Sequence, residues 1–204
     1  MKSEIVPSLI AQDQKQFDKI YSKIKIAQII HLDVIDGDFV KNKSLWFSFA
    51  LPKHNYEAHL MTTRPELFIG KYHTDIKTFI VHVETTSNVD ALIEFVHSMR
   101  CRVYLALNPR IPVSRIRKYL RKIDGVLVMT VQPGQYGAPF LRAMVKKVRE
   151  LRNMNRNLNI EVDGSVNDKT IKQLKEAGAN RFSVGSFIQK SRDVKQAIKL
   201  LEEL

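Results

Sequence analysis

Cysteine is almost absent from this chain, with one residue, Cys101, among 204. A single thiol excludes an internal disulfide framework and suits a reducing compartment, so we expect a cytoplasmic protein. No run approaches the roughly 18 unbroken apolar residues of a membrane span, and we expect no membrane partner. The first residues lack the apolar core of a signal peptide. No glycine-rich dinucleotide loop, low-complexity tract or linker is present.

Acidic residues are few relative to basic ones, and the formal net charge is +12. The lysines and arginines are spread over many segments and are densest at helical spacings within 115–122. We interpret this run as the solvated face of a helix, because no nucleic-acid-binding motif accompanies it. The charge is consistent with a small phosphorylated substrate, and we expect no nucleic-acid partner.

Eight short apolar runs alternate with polar segments. We predict strands at 5–10, 29–35, 56–61, 78–84, 102–109, 126–131, 159–163 and 181–184. Helical patterns occur at 13–24, from 65, at 88–99, from 113, at 139–155, from 167 and at 192–203, whereas 39–52 is irregular. Eight strand units of this kind predict an α/β fold, a parallel (β/α)8 TIM barrel, as a single domain over residues 1–204. An open doubly wound sheet usually has fewer strands for this length.

Polar side chains stand at the carboxyl ends of three predicted strands. His31 and Asp33 lie two apart on the second strand and face the same way; for this pair alone, a satisfied histidine–aspartate pair is the alternative. His59 lies near the end of the third strand and Asp163 ends the seventh, and such strand ends meet on one face of a barrel. Imidazoles and carboxylates are ordinary ligands of divalent cations. We therefore predict a metal site formed by His31, Asp33, His59 and Asp163.

Two aspartates on one metal also suggest a reaction. The metal would stabilise an enediolate, so that a C–H next to a ketone becomes acidic. One aspartate removes this proton and the other delivers a proton to the opposite face, which inverts the carbon.

Glycine-rich turns follow strands six, seven and eight, at 133–137, 164–165 and 185–186. Loops after strands seven and eight form the usual phosphate cradle of this fold, because backbone N–H groups and a helix N-terminus face the anion there. We interpret these turns as a phosphate site, with ordinary turns as the alternative.

The same residues fall in motifs that resemble the ribulose-phosphate 3-epimerase family over nearly the whole chain. The motifs are VPSL (6–9), HLDVIDGDFV (31–40), HLM (59–61), HVE (82–84), ALNP (106–109), VMTVQPG (128–134), EVDG (161–164) and GS (185–186). The resemblance implies a TIM barrel that interconverts D-ribulose 5-phosphate and D-xylulose 5-phosphate, with Asp33 and Asp163 as the acid/base pair. It also implies a bound divalent metal, for which Zn²⁺ is the expected ion and Fe²⁺, Mn²⁺ or Co²⁺ are the alternatives. It implies a homo-oligomer as well.

The family's substrate pocket corresponds to further positions. The resemblance implies that Ser8 touches the substrate and that Met61 and Met129 lie around the metal, with Ile35 at a third such position. With the glycine-rich turns, the predicted substrate-binding residues are Ser8, His59, Met61, Met129, Gly134, Gly137, Gly164, Ser165, Gly185 and Ser186.

Some positions depart from the family pattern. Residues 135–138 read QYGA where FGGQ is usual, Ser165 replaces a second glycine, Lys41 replaces a proline, and the segment between strands two and three is short. These changes lie on the substrate loop and the phosphate cradle rather than on the ligands. A hexulose phosphate substrate, as in an allulose-6-phosphate 3-epimerase, is therefore the close alternative.

Two further functions remain as alternatives. A phosphosugar lyase or synthase would need a lysine or a different acidic pattern at the strand ends, which the sequence does not have. A non-catalytic barrel that binds an anionic ligand or nucleic acid is the other alternative, and the intact set of metal ligands argues against it.

Overall fold

The computed structural model describes residues 3–134 and 137–204 and shows one closed barrel of eight parallel strands. Each strand pairs with its neighbours in sequence, and β1 pairs with β8. The strands are β1 Glu4–Leu9, β2 Ile30–Ile35, β3 Tyr56–Met61, β4 Thr78–His82, β5 Arg102–Leu107, β6 Gly125–Met129, β7 Asn159–Asp163 and β8 Arg181–Val184. The predicted (β/α)8 barrel is confirmed, with strand ends displaced by at most two residues.

Within residues 3–134 and 137–204, seven α-helices accompany the strands. They are α1 Gln14–Ile24, α2 Pro65–Tyr72, α3 Val89–Ser98, α4 Ala143–Met154, α5 Ile171–Ala177, α6 Ser186–Gln189 and α7 Val194–Glu203. Three begin at side-chain caps, since Asp13, Asn88 and Asp193 each accept a hydrogen bond from a backbone N–H of the first turn. Of the helices in the two described ranges, none is long and apolar enough to cross a membrane. The four-residue α6 was not predicted from the sequence.

The helix predicted from residue 113 is not an α-helix. Two 3₁₀ helices, Val113–Arg115 and Arg117–Tyr119, occupy this stretch instead. Val113, Ile116 and Tyr119 are buried at a spacing of three, which matches the 3₁₀ repeat rather than the 3.6-residue repeat of an α-helix. The basic residues between them are exposed, so the run is a solvated surface as expected.

Residues 36–55, between β2 and β3, form no helix, as the sequence predicted for 39–52. Ser44 pairs with Ile35 in an antiparallel bridge that folds this segment back onto β2. Phe49 fills the space outside the barrel, and its ring centroid is 4.9 Å from that of Tyr72 and 5.9 Å from that of Phe17. Aromatic packing therefore takes the place of a helix in this unit.

The barrel interior divides into an apolar and a polar half. The apolar half comes from β4, β5 and β6 and includes Ile80, Tyr104 and Leu127. Gly125 admits the Tyr104 ring, because a Cβ there would lie 2.5 Å from it. The polar half comes from the other strands, together with His82 at the end of β4, and contains the buried histidines and carboxylates described below.

Candidate metal centre and active site

Strand register brings the four predicted metal ligands together. Asp33 on β2 stands opposite His59 on β3, while His31 lies two residues before Asp33 and Asp163 ends β7. One nitrogen or oxygen atom from each of the four lies within 4.8 Å of the others. His59 Nδ1 is 3.3 Å from Asp33 Oδ1 and 3.6 Å from Asp163 Oδ2, and His31 Nε2 is 3.5 Å from Asp33 Oδ1. These spacings suit neighbouring ligands of one small cation, whose bonds are ~2.0–2.2 Å long.

His31 is oriented as a metal ligand would be. Its Nδ1 lies 2.8 Å from Glu57 Oε1 and 3.1 Å from Glu161 Oε1, so this nitrogen carries the proton that both carboxylates accept. Its Nε2 is buried and has no hydrogen-bond partner among the described residues. A lone pair directed into a set of two imidazoles and two carboxylates fits Zn²⁺ or a similar divalent ion.

Carboxylates dominate the charge around this centre. Burial opposes a charged imidazole, but the nearby carboxylates of Asp33, Glu161 and Glu57 raise the pKa of His31 well above its ordinary value. The same carboxylates would equally favour a bound divalent cation.

The two aspartates differ in their electrostatic environment. Burial alone would raise the pKa of Asp33, yet the imidazoles of His31 and His59, at 3.5 and 3.3 Å from its Oδ1, lower it far below its usual range. Burial, followed by repulsion from Asp33, raises the pKa of Asp163. Environments that separate two carboxyl pKa values are typical of acid/base pairs.

A third histidine, His82 at the end of β4, contacts the cluster through His59 on the neighbouring strand β3. Its Nε2 is 2.9 Å from His59 Nε2, and the Phe39 ring packs on it at 4.7 Å. Burial is the main cause that lowers the pKa of His82 to about 4, with repulsion from His59 in the same direction and Glu84 opposing. His82 was not predicted as a site residue, although its position at a strand end was a usable signal.

A cavity of about 340 Å³ opens above the cluster and is lined by most of the predicted substrate-binding residues. Those on its wall are Ser8, Met61, Met129, Gly134, Gly137, Gly164, Ser165, Gly185 and Ser186, together with Asp33 and Asp163. His59 is not on the wall, because it is fully buried beside the aspartates. The structure describes the segment after β6 except for residues 135–136. Those two positions, which differ from the family pattern in sequence, therefore lie outside the described residues.

The segment after β2 reaches across the barrel mouth and forms part of this wall. The Asn42 side-chain amide donates to the Gly134 carbonyl, and Val40 packs so closely that a Cβ on Gly134 would lie 2.7 Å from its own Cβ. Gly134 has a φ of +77° and needs to be glycine for both reasons. Asn42 and Lys43 line the cavity and were not predicted, because their approach depends on contacts made 92 residues along the chain.

A closed (β/α)8 barrel with a buried histidine–aspartate cluster at its carboxyl-terminal face defines a TIM-barrel protein with a candidate metal centre. The model of the ribulose-phosphate 3-epimerase family matches residues 4–189. The chain belongs to this family, and it is an isomerase of the epimerase type.

Curated relatives are similar over almost the full chain. The ribulose-phosphate 3-epimerase of Schizosaccharomyces pombe is 31% identical, with coverage of 97% of this chain and 92% of the relative. That of Methanocaldococcus jannaschii is 33% identical, covering 98% and 90%, and that of Bacillus subtilis is 32% identical, covering 96% of each.

Solved structures show the same barrel at low sequence identity. A crystal structure of KGPDC from Streptococcus mutans superposes with a TM-score of 0.73 at 11% identity, covering 100% of this chain and 97% of that one. A structure of 3-hexulose-6-phosphate synthase gives 0.67 at 16% identity, covering 100% and 99%. These likenesses show the fold alone.

Proposed function

We propose that this protein is a metal-dependent epimerase that inverts C3 of D-ribulose 5-phosphate to give D-xylulose 5-phosphate. One observation carries the proposal: two aspartates and two histidines from three strands place their donor atoms within 4.8 Å of one another, next to the substrate-sized cavity. The names of the curated relatives support the same substrate.

Two parts of the cavity can bind the two ends of the substrate. Turns after β7 and β8 line one part of it through Gly164, Ser165, Gly185 and Ser186. Backbone N–H groups in such turns bind a phosphate in this fold, so the phosphate lies there and the sugar carbons extend over the cluster. Met61 and Met129 line the wall near the two aspartates and keep water from the reacting carbon.

Asp33 and Asp163 carry the proton transfers. They approach from β2 and β7, and thus from different sides of the substrate. A divalent metal held by His31, Asp33, His59 and Asp163 would polarise the C2 carbonyl and the C3 hydroxyl and make the C3 proton acidic. In one direction the ionised Asp33 removes that proton and Asp163 delivers one to the opposite face; in the other direction the roles exchange.

The donor set supports Zn²⁺ as the metal, with Fe²⁺, Mn²⁺ or Co²⁺ as substitutes, because imidazole and carboxylate ligands serve all four. The homo-oligomer and the cytoplasmic location stay predictions that rest on the family resemblance and on the single cysteine.

Proton exchange at C3 tests the proposal. The purified protein, reconstituted with Zn²⁺ or Co²⁺, is incubated in D₂O with D-ribulose 5-phosphate or with D-allulose 6-phosphate and followed by NMR. With D-ribulose 5-phosphate, we expect deuterium to appear at C3 and the epimeric product to form. With chelator-treated protein, we expect neither deuterium incorporation nor product. Preferential turnover of the hexulose phosphate would reassign the substrate, and no exchange with either compound would refute the epimerase.

A further inference from the structure

Below the metal ligands, Arg181 on β8 points into the barrel and meets three glutamates. Its Nε lies 3.1 Å from Glu161 Oε2, and its two terminal nitrogens pair with Glu57 and Glu4. Arg181, Glu57 and Glu161 are all buried. Since these strands are far apart in sequence, only the closed barrel brings this cluster together.

Glu57 and Glu161 each bridge Arg181 to His31. One oxygen of each carboxylate accepts from the guanidinium, and the other oxygen accepts from His31 Nδ1, at 2.8 Å for Glu57 and 3.1 Å for Glu161. The opposite nitrogen of the same ring, Nε2, faces the metal ligands without a hydrogen bond to any described residue. A continuous chain of contacts therefore runs from Arg181 to the metal-facing atom of His31.

His31, Glu57 and Glu161 are also close enough to one another to form a second metal site. Arg181 argues against this function, because its guanidinium already occupies the outer oxygens of both glutamates. The Tyr104 ring lies 5.8 Å from the guanidinium carbon and closes that side of the cluster. The cation of this lower cluster is the arginine itself.

We propose that Arg181 is a positioning residue for the metal centre: it clamps Glu57 and Glu161 so that both hold His31 Nδ1–H and direct Nε2 at the metal. The inference rests on the proposed metal-dependent function. Without the guanidinium, two like-charged carboxylates would face each other in the interior and turn apart, and the ring would lose its fixed orientation. Loss of such outer contacts typically weakens metal binding 10–100-fold.

Metal affinity, measured by competition with a chromogenic chelator and by the visible spectrum of the Co²⁺ form, tests this role without using turnover. We expect Arg181→Met to bind Zn²⁺ 10–100-fold more weakly and to change the Co²⁺ spectrum, and Arg181→Lys to recover part of the affinity. Glu4→Gln is the matched control, because Glu4 contacts Arg181 but not His31. It should retain wild-type affinity within twofold.

A second comparison covers the case in which Arg181→Met does not fold. The double variant Glu57→Gln/Arg181→Met removes one buried charge of each sign, and it is compared with Glu57→Gln alone. We expect the double variant to bind metal about tenfold more weakly. Equal affinities within either comparison, whichever folded variants allow, would overturn the positioning role, whereas a wild-type protein that binds no metal would overturn the proposed metal dependence itself.

Discussion

Replacement of either active-site aspartate by asparagine should separate the two proton transfers. Asparagine keeps the size of the side chain but removes a group that takes up and releases a proton. Such a loss costs about 10²–10⁴-fold in rate, or about 2.7–5.5 kcal/mol in the activation barrier. Because Asp33 and Asp163 lie on different strands, β2 and β7, each variant should retain exchange at C3 with only one epimer. Asp163→Asn should exchange the epimer whose C3 proton faces Asp33, and Asp33→Asn the other.

Deuterium incorporation from D₂O, measured separately from D-ribulose 5-phosphate and D-xylulose 5-phosphate, distinguishes these cases. Both variants are compared at equal metal occupancy, since both residues are also predicted ligands. Asp38→Asn is the control, because Asp38 is an exposed carboxylate of the same segment that does not belong to the cluster. Interconversion by Asp163→Asn within tenfold of the wild-type rate would refute the two-aspartate mechanism.

Three further predictions concern stability. Asp36 accepts two hydrogen bonds from Thr63, so Asp36→Ala should lower the free energy of unfolding in urea by about 3 kcal/mol at pH 7. Burial opposes the ionised form of Asp36, but the hydrogen bonds that its carboxylate accepts lower its pKa. The stabilisation by Asp36 is therefore fully present above the unfolded pKa of ~3.9 and is lost as the pH falls through the folded pKa. A difference in unfolding free energy between wild type and Asp36→Ala that is the same at pH 3 as at pH 7 would contradict this. Gly125→Ala should destabilise the barrel by about 1–3 kcal/mol, because the new Cβ would meet the Tyr104 ring at 2.5 Å. Gly70→Ala in α2, with no atom within 4 Å of its Cβ, should raise the thermal midpoint instead.

The barrel was predictable because its strands are buried on both faces. Parallel strands of this kind appear as short apolar runs, and eight of them in one short chain leave few alternatives. The cluster of histidines and aspartates was predictable for a related reason, since polar residues two apart in an apolar run have no packing role. His31 and Asp33 show this pattern, and the structure places both inside the barrel beside His59 and Asp163.

The remaining features depend on contacts between distant segments. Arg181 belongs to an apolar run, and nothing near it in sequence indicates that it meets Glu57 and Glu161. The 3₁₀ helices after β5 were missed because a dense run of arginine and lysine suggested a longer helix, while the burial of Val113 and Ile116 follows a spacing of three.

The two-residue period of a β-strand explains how one set of strands both binds and orients the proposed metal. On β3 and β7 the lower inward-facing residue is a glutamate, and the next residue on the same face is a predicted ligand, His59 or Asp163. On β2 the first two inward positions, His31 and Asp33, are both predicted ligands, and the two glutamates hold the lower one. A slip of one residue in any of these strands would move its polar side chains into the apolar layer beneath the helices. The chemistry of the site and the register of the barrel are therefore specified by the same residues.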